Sequence, residues 1–281
     1  MLPANVLGTL FALVTALVWG GGDYSGGLAT RRNSQFQVMV LAALSGIALL
    51  LACTVLWGES FPSPRGIGWS ALAGVSGAIG VAALYRALSL GNAAAVAPTS
   101  AVVSTVLPVL FSMFTEGLPG VMRLVGFVLA LLGIWLVTRT SIPGDPLARQ
   151  GIPLAWLAGA GFGGFFILIA RAEPGKVFTP LVVARLILLG LALLMLLARR
   201  TSLSSPRSNP IALLAGLLDA GGNVFYLLAR QFTRLDVVVV LSSLCPAVTV
   251  LLAHFISKQY VSRAQWMGVG LCLVAVALIA S

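Results

Sequence analysis

The chain has 281 residues, of which 59% are hydrophobic and only 9% charged, and its mean hydropathy is +1.05. That is too little polar surface to cover a water-soluble globule, so a soluble domain is excluded. The formal net charge of +10 would point to nucleic acid in a soluble protein, but nearly every basic residue flanks an apolar stretch, where it meets lipid headgroups, and no separate basic stripe or aromatic stacking surface stands out.

Helices of the roughly 20 residues needed to cross the hydrocarbon core are predicted at 5–27, 35–57, 67–88, 93–115 and 121–138. A second set is predicted at 152–171, 178–198, 210–231, 235–257 and 264–280. The first span is full length and lacks a basic N-terminal region, so no cleavable signal peptide is expected. It carries Trp19, a run of three glycines, then Asp23 and Tyr24. An aspartate at mid-span costs about 2.5–3.5 kcal/mol on insertion scales, so such groups face the bundle interior or a wet cavity. Two readings of Asp23 stand side by side: a carboxyl that carries a coupling proton, or one that pairs with a basic residue or caps a glycine-loosened helix end near Arg31.

Further along, small residues recur at helical spacing: Gly74, Gly77 and Gly80 in span 3, Gly159 and Gly163 in span 6, and Ala212, Gly216 and Ala220 in span 8. Such faces let helix backbones approach closely in lipid. Pro98 and Pro108 in span 4 and Pro246 in span 9 predict kinks that free backbone carbonyls near the midplane. In span 7, Arg185 has three open roles: holding a substrate carboxylate, pairing with Asp219 of span 8, or snorkelling. Asn223 lies one turn beyond Asp219. Cys53, Cys245 and Cys272 sit within apolar spans and read as small core residues.

The two sets of spans repeat one another at an offset of 142 to 144 positions. Trp19, Gly20 and Gly21 match Phe162, Gly163 and Gly164; Gly77 and Arg86 match Gly221 and Arg230; Gly126 matches Gly268. Residues 1–140 therefore form one five-helix repeat and 151–281 a second, joined by a linker over 141–150. Five spans is an odd number, so the second half enters the membrane from the opposite side. Inverted repeats of this kind characterise alternating-access carriers, with the substrate site between the repeats.

Enzyme chemistry finds no support. With one histidine and seven acidic residues, no spacing matches a metal site or an acid/base pair, and no glycine run has a nucleotide-binding ending. No cofactor and no metal are expected. The loops after spans 1, 3, 5, 7 and 9 hold Arg31, Arg32, Arg86, Arg139, Arg149, Arg199, Arg200, Arg207, Lys258 and Arg263, against Arg65, Arg123, Arg171, Lys176, Arg230 and Arg234 on the other side. The larger set marks the cytoplasmic side, with both termini outside.

Several stretches together resemble the drug/metabolite transporter superfamily, in its EamA-like ten-helix branch, over essentially the whole chain. They are Trp19 to Arg32, Tyr85 to Gly91 leading into Ala97 and Pro98, Glu116, Gly126, and Leu241 to Val250. The resemblance implies export or exchange of small metabolites such as amino acids, through a central cavity lined by the first four helices of each half. Two features depart from the family pattern. Lys258, Gln259 and Tyr260 stand where span 9 usually ends in a glutamate-arginine pair, and the better-known members keep both termini in the cytoplasm, opposite to the charge count here.

The sequence is therefore read as an all-α, multi-pass carrier of the inner (plasma) membrane. Its partners are a small-molecule substrate and the lipid bilayer, with no nucleic acid; no sequence feature supports a homodimer. The expected cavity residues are Trp19, Asp23, Tyr24, Tyr85, Pro98, Asn223 and Pro246, with Asp23 as the coupling candidate. The alternative is a non-transporting scaffold or a subunit of a membrane enzyme complex. A water-accessible central cavity separates the two, since a scaffold should be packed solid there.

Overall fold

A chain dissolved in hydrocarbon has to satisfy its backbone hydrogen bonds within each segment, which favours helices. The computed structural model describes residues 3–31, 33–89, 93–138, 151–203, 205–258 and 260–280, without the side chains of 85, 88, 89, 93–95, 97 and 98. Among the described residues there is no strand. The helices are α1 (Ala4–Ala29), α2 (Gln35–Trp57), α3 (Pro64–Ser89), α4 (Ala93–Glu116), α5 (Val121–Thr138), α6 (Ile152–Ile169), α7 (Phe178–Ala198), α8 (Pro210–Phe232), α9 (Leu235–Ser242), α10 (Cys245–Phe255) and α11 (Arg263–Ala280). They make ten stretches long and apolar enough to cross a membrane, with α9 and α10 sharing the ninth. The linker expected over 141–150 lies outside the described residues.

Local signals set several helix ends. Ser34 and Gln37 form a capping box that opens α2, and Gly58, at φ 64°, closes it in the left-handed conformation that glycine adopts without strain. Asn209 caps α8, with Pro210 in its first turn.

The kink expected at Pro246 is a complete break. α9 stops at Ser242 and α10 starts at Cys245, because Pro246 offers no N–H to the Ser242 carbonyl and its ring crowds the preceding turn. The two pieces are also buried differently: every residue of α9 is buried, whereas Ala247 alone is buried in α10. In contrast, α4 runs unbroken through Pro98 and Pro108, and α1 runs unbroken through its glycines. Asp23 therefore lies inside a helix rather than capping a loosened end.

The two halves interleave instead of forming separate bundles. α1 packs mainly on α8 and on α9 and α10, while α6 packs mainly on α3 and α4. α2 lies along α7 and α8, and α5 pairs with α11. Exchanging the two repeats turns this pattern into itself, as an inverted repeat requires. Two mixed bodies result, one of α1, α8, α9 and α10, the other of α3, α4 and α6.

The small residues serve these contacts. A Cβ on Gly216 would collide with the Ala42 carbonyl and Ser45 of α2, and one on Gly161 would stand 2.6 Å from the Gly80 backbone. Large apolar side chains on the outside, such as Val55, Leu56 and Phe114, are exposed as lipid-facing groups must be. Trp57 near the face that holds both termini, and Trp156 and Trp266 near the other, are exposed at the depth where aromatic residues meet headgroups.

Candidate functional site

A cavity of about 610 Å³ lies between the two mixed bodies. Its wall comes from α1, α2, α3 and α4 and from α6, α7, α8 and the break between α9 and α10, which are the first four spans of each half. α5 and α11 contribute nothing to it and pack on each other outside. From mid-membrane residues such as Asp219 the cavity extends to Thr30 and Gln35, at the end of α1 and the start of α2, on the face opposite the termini.

Towards the terminal face it is plugged by aromatic rings. Trp19 packs on Phe166 at 5.6 Å and on Tyr226 at 5.8 Å between ring centroids. Tyr226 is fully buried and donates its hydroxyl to the Phe166 carbonyl at 3.2 Å. This joins α1 and α8 to α6 beneath the cavity. Gly222 makes the plug fit, since a Cβ there would collide with the Trp19 indole.

Charged groups meet at mid-membrane. Arg185, buried on α7, forms an ion pair with Asp219 on α8 instead of snorkelling. Asn223 Nδ2 donates to the Asp219 carbonyl at 2.7 Å, and Trp19 Nε1 reaches the same oxygen at 3.3 Å. Asp23 stands on the cavity wall, which Cys245 also lines. Among the described residues no ion pair includes Asp23.

Of the residues expected at the site, Trp19, Asp23, Asn223 and Pro246 line the cavity. Tyr24 does not. It points away to the turn after α10, where its hydroxyl bonds Ser257 Oγ at 2.6 Å, because one residue step along a helix turns a side chain by about 100°. The side chains of Tyr85 and Pro98 lie outside the described residues. Cys245, read as a core residue, lines the cavity instead. Phe162, Phe165 and Phe166 are further lining residues. Only Phe162 carried a signal, as the repeat partner of Trp19.

Comparison with known proteins came out as follows. The model of the EamA-like transporter family matches the chain twice, over residues 6–139 and 149–281. No curated protein matches. A solved structure described only as the crystal structure of a protein has a TM-score of 0.76 with this chain at 20% identity, covering 96% of this chain and 95% of its own. At that identity the likeness speaks for the fold alone.

Proposed function

The chain belongs to the EamA-like transporter family, whose members are membrane transporters of small molecules, and we propose that it is a secondary exporter or exchanger of small organic metabolites, amino acids among them, working by alternating access. The observation that carries this reading is the cavity. It reaches one face of the membrane and is plugged at the other by Trp19, Phe166 and Tyr226. In this reading 1–140 and 151–281 are the repeat units. The body of α1, α8, α9 and α10 rocks against that of α3, α4 and α6, and the plug parts as the open side shuts. Asp23, on the wall and in no ion pair among the described residues, is the coupling group.

Purified protein in liposomes, assayed for uptake and counterflow over a panel of metabolites, tests the proposal. Saturable flux of at least one solute, competed by its analogues, is expected. A sealed, correctly folded preparation that moves none would remove it.

The orientation rests on charge. The basic loops at the cavity mouth mark the cytoplasmic side, so the conformation described faces inward. A C-terminal reporter active only in the cytoplasm should stay silent, and activity there would reverse the assignment.

A further inference from the structure

A second hollow, of about 450 Å³, lies on the lipid side of the seam between α3 and α7. Its walls include Val75, Ile79 and Ala82 of α3 and Leu186, Gly190 and Leu194 of α7. The two helices touch at Gly74, where a Cβ would stand 2.8 Å from the Ala184 carbonyl. Further along the seam they leave room, and a Cβ on Gly190 would meet no atom within 4 Å. Val75, Ile79, Leu186 and Leu194 are exposed, so the hollow opens to the bilayer. Ala78 lines both this groove and the central cavity, which therefore lie back to back.

The groove runs from mid-membrane to the face opposite the termini. Its inner end is at Leu186, beside the mid-membrane Arg185. On α3, Val75, Ile79, Ala82 and Arg86 follow one another at four- and three-residue steps and so share one helix face. From Val75 to Arg86 the axis rises about 16 Å, the depth of one leaflet in a hydrocarbon core of about 30 Å. On α7 the exposed Leu197 continues the line to Arg200, which is exposed just past the helix end. Arg199 lies over the Phe36 ring of α2 instead. Among the described residues this face carries no acidic side chain to compete for the two guanidiniums.

We propose that the groove binds an anionic phospholipid of the leaflet on that face, with one acyl chain along the seam and the phosphate at Arg86 and Arg200. A chain in a groove contacts two helices where one on a convex surface contacts a single helix, and its dispersion contacts grow accordingly. The head adds attraction between a net negative charge and two basic residues at the membrane surface. A zwitterionic lipid with the same chains keeps the first part and loses most of the second. The bound chain backs the seam at Ala78, on the outer side of the cavity wall. The site does not depend on which solute the cavity carries.

Native mass spectrometry of the purified, full-length protein with dioleoyl phosphatidylglycerol and dioleoyl phosphatidylcholine tests the proposal. Phosphatidylglycerol should bind at least about tenfold more tightly. Arg86→Gln and Arg200→Gln should each cut that preference about fivefold, the effect of one basic residue at an anionic surface. Gly190→Leu should weaken both lipids, since it fills the groove without colliding with the backbone; the ranking in the unaltered protein stands even if a variant fails to fold. Equal binding of the two lipids, or lipid binding indifferent to Gly190→Leu, would overturn the proposal. So would displacement of the lipid by excess inorganic phosphate, which would mean an anion site without the groove, or a dimer that Gly190→Leu dissociates, which would seat a second copy of the chain there.

Discussion

The two membrane faces are built from opposite chemistry. On the terminal face each described acid has a partner, a base or a helix N–H group. Glu116 Oε1 accepts from Arg230 Nη2 at 2.8 Å, and Arg234 bonds the Glu116 carbonyl and Asp236. Asp236 holds the Arg234 guanidinium firmly in its charged form. Glu59, at the end of α2, accepts the amides of Val177, Phe178 and Thr179 at 2.7–3.2 Å, so that a carboxylate sits at the positive end of α7. On the opposite face, among the described residues, there is no acidic side chain. Arg31, Arg86, Arg199, Arg200, Arg207, Lys258 and Arg263 stand there, and the contacts between repeats include neutral hydrogen bonds, Asn209 to the Ala29 carbonyl at 2.9 Å and Gln37 to the Ser202 carbonyl at 2.8 Å, and the Arg199 guanidinium over the Phe36 ring.

The closed face is therefore latched by charge between the two mixed bodies, since Glu116 belongs to α4 and Arg230 to α8. Between described residues the open face shows no ion pair across the two bodies. Where the repeat would place a second Glu116, the chain has Lys258. In a two-state carrier this difference favours the conformation with the terminal face shut.

The largest expected effect falls on the group between the two faces. Asp23→Asn keeps shape and hydrogen bonding but cannot carry a proton, so proton-driven transport should be lost while substrate exchange continues. Liposome flux with and without a pH gradient decides it, and full driven activity would leave Asp23 a structural role only.

Glu116→Gln comes next. It strands Arg230, whose Nε already lacks a hydrogen-bond partner, and should weaken the latch by about 1–3 kcal/mol. Spin-label distances across the terminal face should then show a population that is open there, absent from the unaltered protein.

The converse change, Lys258→Glu, places a carboxylate at the repeat position of Glu116, on the face whose described residues carry no acid. It should shift the same distances in the same direction by about 0.2–1 kcal/mol, the value of an exposed pair, and the shift should fade at high salt.

The smallest effect is one of pH. The Glu173 carboxyl is held below the usual carboxylate range, chiefly by the Ser63 amide, with Lys176 adding to it. A carboxyl depressed on folding stabilises the fold above its unfolded value of about 4.3, and that stability is lost as pH falls through the lowered value. Thermal stability should drop in that acid window, and Glu173→Gln should flatten the drop.

Much of this architecture is legible in residue order. Ten spans, their pairing into two repeats, and the small-residue faces on spans 3, 6 and 8 all follow from hydropathy and spacing. The partners do not. Glu116 finds Arg230 114 positions later, Arg185 takes Asp219 rather than remaining free, Tyr24 points to the turn after α10, and the proline of span 9 breaks its helix while those of span 4 do not. Hydropathy specifies how deep each residue lies in the bilayer, because lipid rewards apolar length whatever the azimuth. A helix that is apolar nearly all round carries little signal about its rotation. Rotation is settled by which small faces fit against one another, and it is rotation that brings Asp23, Asp219, Arg185 and Trp19 to one cavity.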